Sequence, residues 1–253
     1  MFHGGIMVSR LKTISAAILL AALVQPALAD PPRAVVELFT SQGCSSCPPA
    51  DAVLVELARE PDIVALSFPV HYWDYLGWKD TLAHKMFTER QKAYAHARSD
   101  RQVYTPQMII NGTKPCIGSN RDRVEQSIKE VTAMQSTLPL DVDVEERNGM
   151  VRISVKETAT AEMRPADVWV LPVLRTHTVP IERGENQGRT VTYANVVRGM
   201  KRVGEWRGGS ARFEVPLDTA RGGADGYVVL LQTTTEQAKP GAILGAAKSA
   251  SLR

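Results

Sequence analysis

The pattern of hydrophobic and polar positions divides the chain near residue 137. Before that point, short apolar runs alternate with longer segments whose apolar residues recur every three or four positions, which is typical of strands alternating with amphipathic helices. After it, short segments alternate apolar and polar residues, with Asn-Gly and Gly-Gly pairs between them, and this predicts antiparallel strands. We therefore expect an α/β fold in which a first part of strands and helices precedes a mostly antiparallel, sandwich-like β part.

The first part has the predicted element order β-α-β-α-β-β-α. Its strands are predicted at 34–39, 62–70, 106–112 and 114–118, and its helices at 50–60, 80–100 and 119–134. Asn111-Gly112 falls between the last two strands and predicts a hairpin turn. The second part contains strand-like segments at 140–147, 150–157, 166–176, 190–197, 211–218 and 227–235. The tail, 238–253, is interpreted as a last strand or a frayed end.

The N-terminal segment has the pattern of a secretory signal peptide. A positively charged start precedes an apolar run at 14–24, and the small residues Ala27 and Ala29 follow it. The run is shorter than the ~20 residues that span a membrane. We expect cleavage of this segment and a mature protein that is periplasmic or secreted. The predicted division is a signal peptide at 1–29, a first domain at 30–137 and a β-rich domain at 138–253.

Composition narrows the class of protein without identifying it. The chain is 44% hydrophobic and 23% charged, with a formal net charge of +3, as in ordinary globular proteins. Lys and Arg form no block, so we expect no nucleic-acid partner, and no membrane association once the signal is removed. Three cysteines are too few for a scaffold held together by disulfides.

The stretch SQGCSSCPPAD, residues 41–51, carries the most specific chemistry in the chain. Cys44 and Cys47 fall between a predicted strand and a predicted helix. Such a pair is a redox dithiol, half of a metal site or a structural disulfide; a helix N-terminus favours the thiolate that redox chemistry needs. Pro48 and Pro49 are tolerated only in a first turn. We therefore expect the helix to begin near Cys47 and Cys44 to face its free N–H groups.

Thr105-Pro106 directly precedes the third predicted strand. Thioredoxin-like proteins carry a cis-proline at the start of the strand opposite the dithiol. An X-Pro bond is otherwise trans in most cases, so a trans-proline at a strand start is the alternative. The upstream Cys44 and Cys47 lead us to predict a cis bond here.

Four stretches resemble a known family: ELFTSQGCSSCPPAD, YWDYLGWKD, YTPQMIING and IERGENQGRTVTYANVVRG. They are similar to an exported bacterial family classed as a domain of unknown function, the 1223 family, over nearly all of the mature chain. The resemblance implies a thioredoxin-like fold and export. It implies no activity, because the family has no established reaction. Cys44, Cys47 and Pro106 match its motif residue by residue.

Other residues are weaker candidates. His71, Trp73 and Asp74 follow the second predicted strand and line the dithiol cleft, or else form a capped turn over the core. Cys116, on the hairpin, is a third redox partner or, by default, a small buried residue. The polar segment at 183–190 is a loop over the dithiol or a structural turn, and we favour the turn.

We predict a thiol–disulfide oxidoreductase acting outside the cytoplasm on protein thiols or disulfides, with no cofactor and no metal. Cys44 attacks, Cys47 resolves, and Thr105 with Pro106 presents the backbone of the bound peptide. Two alternatives stay open. Cys44 and Cys47, with His71 as third ligand, bind Cu(I), or the pair is a permanent disulfide in a non-enzymatic binding module.

Overall fold

The computed structural model describes residues 31–100, 102–135, 138–156, 164–235 and 239–253, with residues 1, 2 and 4. The predicted signal peptide therefore lies almost wholly outside the described residues. In the described part of the chain, no helix is long and apolar enough to cross a membrane.

The described residues form a mixed α/β structure with few helices. The helices are α1 (Pro48–Leu57), α2 (Lys85–Ala97), α3 (Arg121–Gln135) and α4 (Leu217–Arg221). The first strands are β1 (Ala34–Thr40), β2 (Ile63–Pro69), β3 (Gln107–Ile110), β4 (Lys114–Ile117), β5 (Val142–Arg147) and β6 (Met150–Val155). The others are β7 (Ala166–Pro180), β8 (Thr190–Val197), β9 (Lys201–Trp206), β10 (Ala211–Pro216), β11 (Gly226–Thr234) and β12 (Pro240–Lys248).

One large sheet organises these elements in the order β12-β11-β7-β8-β2-β1-β3-β4, with β9 beside the first residues of β7. β1 is parallel to β2 and antiparallel to β3. Every residue of β1 and β2 is buried, because α1 and α3 cover one face and α2 lies on the other. Such strands read as unbroken apolar runs rather than as alternating ones.

Strands from both predicted domains are hydrogen-bonded in this one sheet. β8 lies beside β2 in parallel, with Ser67 opposite Val196. A second sheet, β10-β6-β5, packs face to face on the large one through a cluster that includes Ile153 and Val229. The division at residue 137 stays a prediction, but the site described below draws on both sides of it.

A buried polar network also connects the two parts of the chain. Glu37 on β1 is fully buried, and its carboxylate accepts hydrogen bonds from Arg90 Nε at 2.8 Å and Tyr94 Oη at 2.5 Å. Gln232 on β11 accepts from Arg90 at 2.9 Å and donates to Tyr94 at 2.6 Å. The buried charges of Glu37 and Arg90 are thus paired, as burial in a core requires.

The structure differs from the sequence expectations at three elements, α2, β9 and α4. The helix predicted from residue 80 begins at Lys85, because the Asp80 side chain holds the preceding turn by accepting N–H bonds from Leu82 and Ala83 at 2.8 and 3.0 Å. β9 and α4 have no counterpart among the predicted segments. In the tail, the last-strand alternative is confirmed, because residues 240–248 form β12, the edge strand beside β11.

Candidate functional site

Cys44 and Cys47 form a disulfide in the turn that joins β1 to α1. Cys44 N–H donates to Ser41 O at 3.2 Å, and Cys47 N–H donates to Cys44 O at 3.1 Å. These two bonds fold the segment after β1 into consecutive tight turns. Both cysteines are buried, at 2% and 0% exposure, although Ser45 and Ser46 between them are exposed.

The helix behind the disulfide begins as predicted but offers few donors. Cys47 is the N-cap, and Pro48 and Pro49 occupy the next two positions, which therefore have no N–H. The following two N–H groups, of Ala50 and Asp51, are both bonded to Cys47 O, at 2.8 and 3.1 Å. The expectation that Cys44 faces free N–H groups of the helix is therefore wrong for these four positions. A neighbouring polar atom is the Ser46 hydroxyl, 3.3 Å from Cys44 Sγ.

A loop from the second part of the chain packs on the turn that holds the disulfide. This covering loop, residues 181–189 between β7 and β8, places Asn186 Nδ2 2.9 Å from Gln42 O and 2.8 Å from Cys44 O. Asn186 is 1% exposed. Glu185 accepts a hydrogen bond from Ser45 N–H at 3.3 Å. Turn hydrogen bonds within the segment match the structural-turn interpretation of residues 183–190, and its contacts with Cys44 O and Ser45 N–H also place it against the disulfide turn.

Trp73 connects the disulfide turn to the proline strand. Its backbone lies against Gly43, where a Cβ would stand 3.0 Å from Trp73 Cβ and 3.1 Å from Trp73 O. Its indole Nε1 donates to Thr105 Oγ1 at 2.8 Å. The Thr105–Pro106 bond is cis, as the sequence predicts. Trp73 thus contacts both Gly43, the residue before Cys44, and Thr105, the residue before the cis-proline.

The residues flanking Trp73 hold the segment 71–84 in place. His71 Nδ1 lies 2.7 Å from Thr88 Oγ1, and Asp74 Oδ1 accepts from Asp80 N–H at 3.1 Å. Asp80 Oδ2 in turn accepts from Gln42 N–H at 2.8 Å, two residues before Cys44. These contacts match the capped-turn alternative, and they show no contact of His71 or Asp74 with the disulfide.

The described contacts of Cys116 are with core residues and not with Cys44 or Cys47. It is a free, buried thiol on β4 opposite Met108 and packs in the apolar cluster between the sheet and helices α1 and α3. Burial raises the pKa of the Cys116 thiol, which disfavours its thiolate. Its environment is that of a small core residue.

Metal ligation finds little support in this geometry. Across the residues that the structure describes, no group of three or more His, Cys, Asp or Glu side chains is placed to hold a metal ion. The third ligand suggested for Cu(I), His71, uses one ring nitrogen in its contact with Thr88.

Sequence reasoning missed a group of buried polar side chains on α1, on β8 and in the turn before α2. Asp51 and Asp80 are 3% and 4% exposed, and Tyr193 on β8 is 2% exposed. Burial, first of all, raises the pKa of each of the two carboxyl groups. Burial and then the two carboxyls raise the pKa of the Tyr193 phenol. In the sequence, Asp51 is indistinguishable from an ordinary acidic residue in a helix's first turn.

Comparisons with known proteins place the chain in a family. Residues 35–232 match the family described as "Protein of unknown function (DUF1223)". The chain is similar to a protein from Agrobacterium tumefaciens of known crystal structure, with 35% identity and a TM-score of 0.78, over 87% of this chain and 94% of that one. It is also similar in fold to HBP35 of Porphyromonas gingivalis, at 12% identity and a TM-score of 0.56, over 87% of this chain and 75% of that one. No curated protein matches it significantly.

Proposed function

The chain belongs to the DUF1223 family, and we propose that it is an exported, thioredoxin-like thiol–disulfide oxidoreductase acting on protein thiols or disulfides. The observation that carries the proposal is the Cys44–Cys47 disulfide at the N-terminus of α1. In a C-x-x-C pair the first sulfur can be attacked by a partner thiolate and the second, three residues on, can leave and later resolve the mixed disulfide.

The arrangement of the first seven elements supports the thioredoxin-like assignment. They follow the order β1-α1-β2-α2-β3-β4-α3, and their strands lie side by side as β2-β1-β3-β4 with β1 and β2 parallel. This connectivity resembles that of thioredoxin-like domains, with the disulfide after the central strand β1. The sequence pattern of residues 1–29 supports a periplasmic or secreted location, where a disulfide persists.

In the reaction we propose, the observed disulfide accepts two electrons from a partner dithiol. A partner thiolate attacks Cys44 Sγ, the Cys44–Cys47 bond breaks, and its electron pair leaves on Cys47 Sγ. A second partner thiolate then attacks the partner sulfur of the mixed disulfide and releases Cys44 as a thiolate. The partner gains a disulfide and this protein becomes a dithiol; the reverse sequence reduces a partner disulfide.

The test is to trap the mixed disulfide. In Cys47→Ser, the resolving sulfur is gone, so a partner attached to Cys44 should accumulate and be released by reductant. The Cys44→Ser/Cys47→Ser double variant keeps Cys116 and is the matched control, in which no partner should be captured. Equal capture by both variants, or capture by neither, would contradict the proposal.

Burial of Cys44 favours a second candidate, a binding module with a permanent disulfide. The 2% exposure of Cys44 and the contacts of Asn186 and Glu185 are what a protected structural disulfide would show. Equilibration in redox buffers separates the candidates. A structural disulfide has a reduction potential below about −300 mV and stays oxidised in glutathione buffers, whereas a catalytic one is reduced by ordinary thiol buffers.

A further inference from the structure

A cavity lies at the opposite end of α1 from the disulfide. Its volume is about 400 Å³, within the range of small-molecule sites. The last turn of α1, the strands β7 and β8, and the residues Leu252 and Arg253 line it. Cys47 caps the first residue of α1 and Val55 lines the cavity, so eight helical residues, or about 12 Å along the axis, separate the two places.

Three arginines from separate elements line this cavity. Arg59 follows α1, Arg175 lies on β7, and Arg253 follows Leu252, which is buried. All three arginines are exposed, and none of their guanidinium groups forms an ion pair or a hydrogen bond with another of the described residues. The described lining of the cavity contains no Asp or Glu. A concave surface with charges of one sign concentrates ligands of the opposite sign.

The carboxylates near the cavity leave its positive charge in excess. Glu60 and Asp62, which follow α1, both bind Arg33, at 2.6 and 2.5 Å. Asp225 accepts a hydrogen bond from the backbone N–H of Arg175 at 2.8 Å, and it brings one negative charge close to three positive ones. Three carbonyl groups near the end of α1 accept N–H bonds from residues 58–60 at 2.9 to 3.1 Å, so they are already paired.

The remaining lining determines which anion suits the cavity. Thr176 and Thr192 contribute hydroxyl groups, and Val55, Ala58 and Leu252 contribute apolar surface. A phosphate monoester carries up to two negative charges and three strong acceptor oxygens, which guanidinium groups bind in pairs. A carboxylate offers one charge and two oxygens. Three guanidinium groups therefore match a phosphate better, and the apolar surface suits an organic part attached to it.

We propose that this cavity binds a small organic phosphate monoester. The phosphate lies among the guanidinium groups of Arg59, Arg175 and Arg253, and the organic part contacts Val55 and Leu252. Binding neutralises a positive charge that the described residues of the protein leave uncompensated. The site is separate from the disulfide, so the proposal holds whether the Cys44–Cys47 pair is catalytic or structural.

The experiment is isothermal titration of the wild-type protein with phenyl phosphate at low ionic strength. One equivalent should bind, and added salt should weaken binding. Arg59→Gln and Arg175→Gln should each weaken binding about tenfold, through loss of a charge-assisted hydrogen bond. Arg212→Gln, which changes an exposed arginine on β10 outside the cavity, should bind as wild type does. The Cys44→Ser/Cys47→Ser variant should also bind as wild type does.

Four results would overturn the proposal. They are no saturable binding of phenyl phosphate, an equal loss in Arg212→Gln, binding of benzoate as tight as that of phenyl phosphate, and binding of inorganic phosphate as tight as that of phenyl phosphate. Arginine-dependent binding to phosphatidylcholine vesicles that contain phosphatidic acid, without binding of phenyl phosphate, would assign the site to a lipid headgroup instead.

A ³¹P NMR titration of phenyl phosphate with the wild-type protein needs no variant. Nearby positive charges favour the dianion, so the second pKa of the phosphate, about 6 when free, should be lower when bound. An unchanged pKa in the bound state would show that the guanidinium groups do not hold the phosphate, and this too would overturn the proposal.

Discussion

Replacing Asn186 by Ala should expose the disulfide to attack. The side chain donates two buried hydrogen bonds, to Gln42 O and Cys44 O, and each is worth about 1 kcal/mol net. Their loss should weaken the closed position of the covering loop by about 2 kcal/mol. Since about 1.4 kcal/mol corresponds to a tenfold change in an equilibrium constant, the open fraction should rise roughly 30-fold.

The assay is the rate at which a small thiol reduces the Cys44–Cys47 disulfide at constant pH. Cys44 is 2% exposed in the closed state, so reduction should proceed through the open state and follow its population when opening is fast. The rate should therefore rise about 10- to 30-fold in Asn186→Ala. Gln187→Ala is the matched control, because Gln187 is the next residue of the same loop and is exposed.

A change of less than about threefold in Asn186→Ala, with the overall fold intact, would refute this reasoning. It would mean that the two hydrogen bonds do not govern access to Cys44, and that reduction takes a path that does not need the loop to move. A rise of the same size in Gln187→Ala would point to general loosening of the loop instead.

Two further predictions concern stability, both measured by urea unfolding. Arg90→Met should destabilise the protein by about 3–5 kcal/mol, because it leaves the fully buried Glu37 carboxylate without its cation. Adding Glu37→Gln to this variant should recover part of the lost stability. A cost of Arg90→Met below about 1 kcal/mol would contradict the argument. The raised pKa of Asp51 means that the folded state holds a proton that the unfolded chain releases, so the contribution of Asp51 to wild-type stability should fall as pH rises from about 4 through the folded pKa. Asp51→Asn removes that loss, so its stability relative to wild type should increase over the same range, and a difference independent of pH would refute the assignment.

Local pattern predicted much of the first part of the fold. The apolar run of β1, the helical spacing after Pro49 and the Asn111-Gly112 turn each place an element correctly. These signals work because they depend on residues within one or two turns of each other: apolar periodicity, the missing N–H of proline and positive φ at a hairpin. The C-x-x-C spacing of Cys44 and Cys47 also predicted the disulfide, and the presence of that pair upstream predicted the cis Thr105–Pro106 bond.

The first residue of α2 is one that local sequence pattern predicts wrongly. The apolar spacing of residues 80–100 predicts one long helix, but Asp80 is used to hold Gln42 and the next turn. Gln42, whose N–H donates to the Asp80 carboxylate, is 38 residues away from Asp80 in the sequence. Likewise, no period in the sequence reveals that β8 inserts beside β2, so the predicted halves share a sheet that their separate patterns do not suggest.

The sequence by itself determined that this protein has a C-x-x-C pair between a strand and a helix, with a proline-led strand to follow. Only the tertiary structure decided that Asn186, 142 residues away, donates a hydrogen bond to Cys44 O, and that Asp51 on α1 is buried. The physical reason is that burial and long-range hydrogen bonds depend on which distant segments pack together. The sequence names the same residue type whether its side chain is in a solvated turn or in the core, but the environment of that side chain determines its chemistry.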